Sequence, residues 1–232
     1  MPRKPRFYLP GVPAHVVQRG NNRQAVFFDD ADREWYRDWL GEAAARYGCA
    51  IHAYVLMSNH VHILVTPPDR TAVSRMMQYV GQRYGAQVNR KYGRTGTLWE
   101  GRHRASLVQQ ETYLMRCYRY IELNPVRAGI AAAPESHRWS SYACNAGGAS
   151  DGLVSPHELY RQLGGNPEAR RLAYRALFEE SLEPPHLDAI RRAWRTGTPL
   201  GDDRFRERVG DAVGRSVGHA RRGRPRREPP PR

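Results

Sequence analysis

MSNHVHILV, Met57 to Val65, puts two histidines one residue apart inside a run of Val, Ile and Leu. In a β-strand alternate side chains share a face. His60 and His62 therefore point one way, and Val61, Ile63 and Val65 point the other. The second face is core. The first presents two imidazoles about 7 Å apart, twice the rise per residue. Neutral imidazole suits divalent transition ions, so the pair can grip a metal. It also reads as two histidines on a half-exposed strand face.

The flanking sequence frames this strand. AIHAYVLM (50–57) is a second strand, joined to the first by the turn Ser58-Asn59. Upstream, AHVVQRG is a strand ending at Gly20, and a helix begins at Asp30. In it Tyr36, Leu40, Ala43 and Tyr47 fall at helical spacing before Gly48 stops it. Downstream, Pro67 and Pro68 close the histidine strand. A long amphipathic helix follows, with Val73, Met76, Met77, Val80, Tyr84 and Val88 as its apolar stripe. GTLWEGRHRASLVQ leads into a fourth strand with Arg102 and Arg104 exposed. QETYLMRCYRYIEL is a helix with Leu114, Cys117 and Ile121 on its buried side. The order β-α-β-β-α-β plus a helix predicts an α+β fold. Its antiparallel sheet has about four to five strands, with helices on one side, in the ferredoxin-like plan.

Composition changes near Cys144. NAGGASDG (145–152) is a linker, and four short helices follow it. The chain divides into residues 1–146, a sheet domain; 147–218, a small all-α module; and 219–232, a basic tail without apolar periodicity, expected to be disordered when free. Within the module, LDAIRRAWRTGTPLGDDRFRERVGDAVG is helix-turn-helix-like.

The formal net charge is +14 over 232 residues. Such an excess attracts polyanions, nucleic acid first among them, and arginine forks onto phosphates better than lysine does. No amphipathic terminal helix supports a membrane surface instead, and no apolar run approaches a membrane span. MPRKPRFYLPGVPAH has a basic start without an apolar stretch, so no signal peptide is expected. Three distant cysteines, Cys49, Cys117 and Cys144, fit a reduced cytoplasm. The charge predicts nucleic acid as partner, with no membrane and no small-molecule substrate, and the chain acts as a monomer or homodimer; which nucleic acid follows from the resemblance below, which implies single-stranded or hairpin DNA.

A pair of histidines holds a metal weakly, so a third ligand is sought. Tyr120 and Asn124 are four apart, on one face of a helix. Asn124 offers a carbonyl oxygen suited to Mg²⁺ or Mn²⁺, Tyr120 a phenol, and Arg116 a fork for a phosphate. The same pattern also describes an aromatic packed on a sheet and an Asn ending a helix before Pro125. A phenol beside a divalent ion suits phosphodiester chemistry, because it leaves more readily than an alkoxide.

HVH looks like the signature of the HUH single-strand endonucleases. MSNHVHILV, TGTLWEGRHRASLV, RYIELNPVRAG and WSSYACN, in this order, closely resemble the REP-associated tyrosine transposases. The resemblance covers roughly Phe7 to Asn145. It implies an HUH fold, a divalent ion on His60 and His62, Tyr120 as nucleophile and Asn124 in the third-ligand position. It also implies cleavage of single-stranded DNA near a hairpin, leaving the 5′ phosphate on Tyr120.

Among other candidates, Tyr113 shares a face with Tyr120 but lies almost two turns from Asn124, and Tyr118 points elsewhere. His52, His103 and His137 read as surface or loop residues, and Trp99 as core or as a platform for a stacked base. Arg19 and Arg23, flanking GNN, read as phosphate contacts or as a solvated loop. RRGRPRR (221–227) resembles an AT-hook core, with Arg222, Arg224 and Arg226 set for a narrow minor groove, or a generic basic tail. Two other functions compete: a non-catalytic single-strand DNA- or RNA-binding protein, and a metal-dependent hydrolase without covalent chemistry.

Overall fold

The computed structural model describes residues 6–217. The basic tail, with Arg222, Arg224 and Arg226, lies outside the described residues.

Four strands form one antiparallel sheet: β1 (Ala14–Arg19), β2 (Ala50–Met57), β3 (His60–Thr66) and β4 (Arg104–Leu107), in the order β2-β3-β1-β4. β1 and β2 are linked through α1 (Asp30–Tyr47), and β3 and β4 through α2 (Ala72–Lys91). This is the split βαβ plan read from the sequence. Local chemistry sets the ends. Asp29 accepts from the Asp32 amide at 3.0 Å while the Asp32 carboxylate accepts back from the Asp29 amide, a capping box. Gly48 ends α1 at φ +66°, a conformation only glycine adopts freely.

The strand alternation holds on both sides of the sheet, but both sides are covered. Val16, Val61, Ile63 and Val65 join α1 and α2 in one buried cluster. Val17, Ala53, Val55 and Leu64 form a second cluster with α3 (Gln110–Glu122). Helices therefore do not lie on one side alone. The histidine-bearing face also carries Leu64, Val17 and Val55, and this apolar surface is covered by α3. A β-bulge at His52 lets β2 feed both clusters: the register slips between Ile51 and Ala53, so Ile51 faces the first and Ala53 the second.

After the four-residue helices α4 (Asn124–Arg127), α5 (Tyr142–Asn145) and α6 (Glu158–Arg161) come α7 (Pro167–Ala176), α8 (Pro184–Thr196) and α9 (Asp203–Val213). These do not build a core of their own. Tyr160, Tyr174, Ile190, Trp194 and Leu200 join the α3 cluster, while Phe205 and Val209 join the other. The α8–α9 connection is stitched to the end of β4. The Gln109 side chain donates to Asp202 Oδ2 at 3.0 Å and accepts from the Asp202 amide at 2.9 Å. Helices expected as a separate, helix-turn-helix-like appendage thus pack on the sheet domain: α6 to α8 cover its second apolar face, and α9 joins the first cluster.

Of the three histidines read as surface or loop residues, His103 and His137 lie in loops, and His52 departs by standing in β2. His52 is buried, bridging the Ser155 carbonyl (2.7 Å) and the Thr66 hydroxyl (2.8 Å). His103 is buried against the Tyr8 hydroxyl at 2.7 Å. His137 is half-buried, 3.2 Å from the Leu56 carbonyl. Each ring fills a gap where a backbone or hydroxyl group needs a partner. Trp99 is core, as expected, with its indole donating to the Gly81 carbonyl.

Candidate active site at the histidine pair

His60 and His62 share a face of β3, with ring centroids 5.0 Å apart. Tyr120 reaches them from α3, its ring 5.8 Å from that of His62 and nearly perpendicular to it. Residues 58 and 60 positions apart in sequence are thus brought together, as the motif reading requires. Burial holds the His60 imidazolium down to about 4, with the Arg19 charge adding to the effect. Burial does the same to His62, well below the usual histidine range, helped by the neighbouring rings and Arg127. Both rings are neutral at physiological pH. His60 Nδ1 lies 2.6 Å from Asn59 Oδ1, and His62 Nδ1 2.8 Å from His15 Nε2. Both Nε2 atoms are left without a hydrogen bond.

His15 is a member of the site that sequence reading passed over. It projects from β1 and is buried, with its own Nδ1 unpartnered. β1 pairs with β3 so that Val17 opposes His62, which sets His15 diagonally across from it. Its ring also meets the edge of Tyr120, 5.7 Å away.

Asn124 fares differently. α3 ends at Glu122 and a new helical turn begins at Asn124, with Pro125 at its start. The single helix face expected to carry Tyr120 and Asn124 is broken between them, and no hydrogen bond links Asn124 to either histidine. Among the described residues no group of three His, Cys, Asp or Glu side chains stands ready as a metal cage. Arg127, at the end of α4, stacks instead over Tyr120, Cζ 4.3 Å from the ring centroid. Burial lowers its guanidinium to about 10, against the pull of the Tyr120 phenol, so it stays charged.

The two other tyrosines separate cleanly. Tyr118 is fully buried between Tyr160 and Tyr174, with its hydroxyl unpartnered. Tyr113 is half-buried beneath the Arg116 guanidinium, 5.5 Å away. Arg116 is thereby occupied and lines neither of the two cavities near the site.

The other four described arginines come together. Arg19, Arg23, Arg102 and Arg104 line one cleft of about 280 Å³ that opens beside Val17 and Trp194. Arg195, from α8, joins them; Glu100 is the acidic member. Trp194 stands edge-on to His62 at 6.1 Å, with Arg19 over its ring at 5.9 Å. A second cavity of about 490 Å³ shares Arg102, Arg104 and Arg195 with the first, and the buried Ser106 hydroxyl on its wall has no partner.

Behind the site, Glu122 is fully buried two residues after Tyr120. Ser141 donates to it at 2.5 Å, Asn145 at 2.8 Å and Tyr174 at 2.6 Å. WSSYACN thus braces the end of α3. Burial pushes the Glu122 carboxyl up to about 7, the three donors pulling the other way.

Against known proteins, a family model described as "Transposase IS200 like" matches residues 9–124, half of the chain. The chain belongs to that family of transposases. Among solved structures it is similar to a REP-associated tyrosine transposase bound to a REP hairpin. That match has a TM-score of 0.53 and 18% identity, covering 68% of this chain and 93% of the other. A putative transposase from Deinococcus radiodurans matches at TM-score 0.37 and 17% identity, over 57% of this chain and 100% of the other. No curated protein matches it. Among the described residues no helix is long and apolar enough to cross a membrane.

Proposed function

We propose that this transposase cuts and rejoins single-stranded DNA near hairpins of the REP type, through a covalent 5′-phosphotyrosine on Tyr120. The observation that carries the reading is the Tyr120 ring seated 5.8 Å from His62, with His60 next to it. In the first step the Tyr120 oxygen bonds to phosphorus as the bond to the 3′ oxygen breaks. The phenolic proton is released, and the 3′ oxygen takes one up. The free 3′ hydroxyl of an incoming strand reverses the step and rejoins.

The histidines fit a divalent ion. Their Nε2 atoms are neutral donors without partners, and nitrogen donors suit Mn²⁺ better than Mg²⁺, which prefers oxygen. A bound ion polarises the phosphate oxygens and offsets the charge that develops on them. His60 and His62 would hold it, with Asn124 as the proposed third ligand. The arginine cleft orients the strand by its phosphates, and Trp194 offers a face on which a base can stack.

A non-catalytic binder of the RRM type stacks bases on an open sheet. Here both sheet faces are covered, which weighs against that reading. A metal hydrolase without covalent chemistry is separated by experiment. Labelled hairpin-bearing single strands are incubated with Mn²⁺ and run on a denaturing gel. The parental protein should give a covalent adduct. Tyr120→Phe should bind the hairpin yet give neither adduct nor nicking, since water replaces a positioned nucleophile poorly. Nicking at the parental rate by Tyr120→Phe would make the protein a hydrolase using water. Tyr113→Phe and Tyr118→Phe should keep both activities.

A further inference from the structure

Arg127 is a partly buried cation with no carboxylate partner among the described residues. Its Nη2 donates to the Tyr120 carbonyl at 2.6 Å, and its guanidinium stacks over the Tyr120 ring. These two contacts fix its plane. Nη1 is closed to solvent and has no hydrogen-bond partner, and among the described residues no carboxylate pairs with Arg127. An unpaired charged donor inside a protein is costly, and a native structure that keeps one calls for a reason. Structure alone does not supply it here, because α4 could be anchored by a neutral side chain. An anion arriving with the substrate does supply it.

We propose that Arg127 is a catalytic residue of the strand-transfer step, donating from Nη1 to a non-bridging oxygen of the phosphate that Tyr120 attacks. This rests on the reading of Tyr120 as nucleophile. Arg127 transfers no proton. As the Tyr120–phosphorus bond forms and the bond to the 3′ oxygen breaks, negative charge gathers on the phosphoryl oxygens. A guanidinium already held over the Tyr120 ring stabilises that charge.

The test compares Arg127→Met, which keeps length and loses charge, and Arg127→Lys with the parental protein. Single-turnover adduct formation is measured on a natural strand and on one with a methylphosphonate at the scissile position, which removes the charge that Arg127 meets. Arg127→Met should bind the hairpin within about twofold, and lose about 10²- to 10³-fold in adduct rate on the natural strand. On the methylphosphonate strand its loss should shrink to a few-fold. Arg127→Lys should fall between, and carries the same comparison if Arg127→Met does not fold. Parental rates on the natural strand, or equal losses on both strands, would overturn the proposal; the second outcome means that Arg127 only holds the fold. Adduct formation by Tyr120→Phe would instead overturn the nucleophile assignment beneath it.

Discussion

Replacing Glu122 by Gln tests the brace behind Tyr120, through pH. Burial raises the Glu122 carboxyl from 4.5 to about 7 in the folded protein. A carboxyl whose folded value lies above its unfolded value favours folding most when both states are protonated. Its contribution is therefore fully present below pH 4.5 and is lost as pH rises through about 7. Integrating the two titrations, this group lowers stability by about 2.5 kcal/mol between pH 5 and pH 8. Glu122→Gln keeps an acceptor for Ser141 and Asn145 and has no charge to desolvate. Urea unfolding at pH 5, 6, 7 and 8 should show the parental protein losing that amount relative to the variant, with unchanged denaturant slopes. Histidines also titrate in this window, but they are common to both proteins and cancel in the difference. An equal pH dependence in the two proteins would refute the reasoning. So would a parental protein that gains stability over the variant as pH rises: Ser141, Asn145 and Tyr174 would then hold the carboxylate ionised against its burial.

Loss of the His15 acceptor should weaken metal binding: with His62 Nδ1 no longer held as the donor, His15→Leu should lower Mn²⁺ affinity about 10- to 100-fold, read by electron paramagnetic resonance of free Mn²⁺. His15→Gln, which restores an acceptor, should recover most of it; equal affinity in His15→Leu and the parental protein would remove His15 from the site. Arg104→Ala and Arg195→Ala should each lower the slope of log affinity against log salt for single strands by about 0.7, and unchanged slopes would place the strand elsewhere. Removing residues 219–232, with six arginines between Ala220 and Arg232, should weaken binding and flatten the same slope. A preference for A·T-rich flanks lost with the tail would favour the AT-hook reading over a generic basic arm.

The sheet and its order were legible because they rest on local signals. Period-two runs, the Ser58-Asn59 turn, the Asp29 cap and the Gly48 stop each name their element without reference to the rest of the chain. That His60, His62 and Tyr120 come together was legible for a related reason: a strand period puts the first two on one face, and the motif order pointed to the third. Asn124 exposes the limit of that logic. Helical spacing assumes one continuous helix, and the helix is interrupted at Leu123, between Tyr120 and Asn124. The second helical layer was hidden for a similar reason. A strand with histidines on one face looks half-exposed until Leu64, Val55 and Val17 are seen to share that face.

What no local signal could show is how Tyr120 is held. Its surroundings come from β1 (His15), α4 (Arg127), the WSSYACN segment and the C-terminal helices (Tyr174, Trp194), whose side chains meet only in the folded chain. Glu122 reads from sequence as a surface glutamate near a helix end, yet it is fully buried on three donors from two later segments. These contacts pin the last turn of α3, and Arg127 bonds the Tyr120 backbone from the other side. The proposed nucleophile thus sits on a helix end held at Glu122 and at its own carbonyl. Positioned groups gain their rate from such fixity, and a displacement of about 1 Å can cost 100-fold. A change in Tyr174 or Asn145, remote from any DNA, should therefore slow adduct formation more than it weakens hairpin binding. Equal losses in rate and affinity would mean instead that the brace serves the DNA cleft.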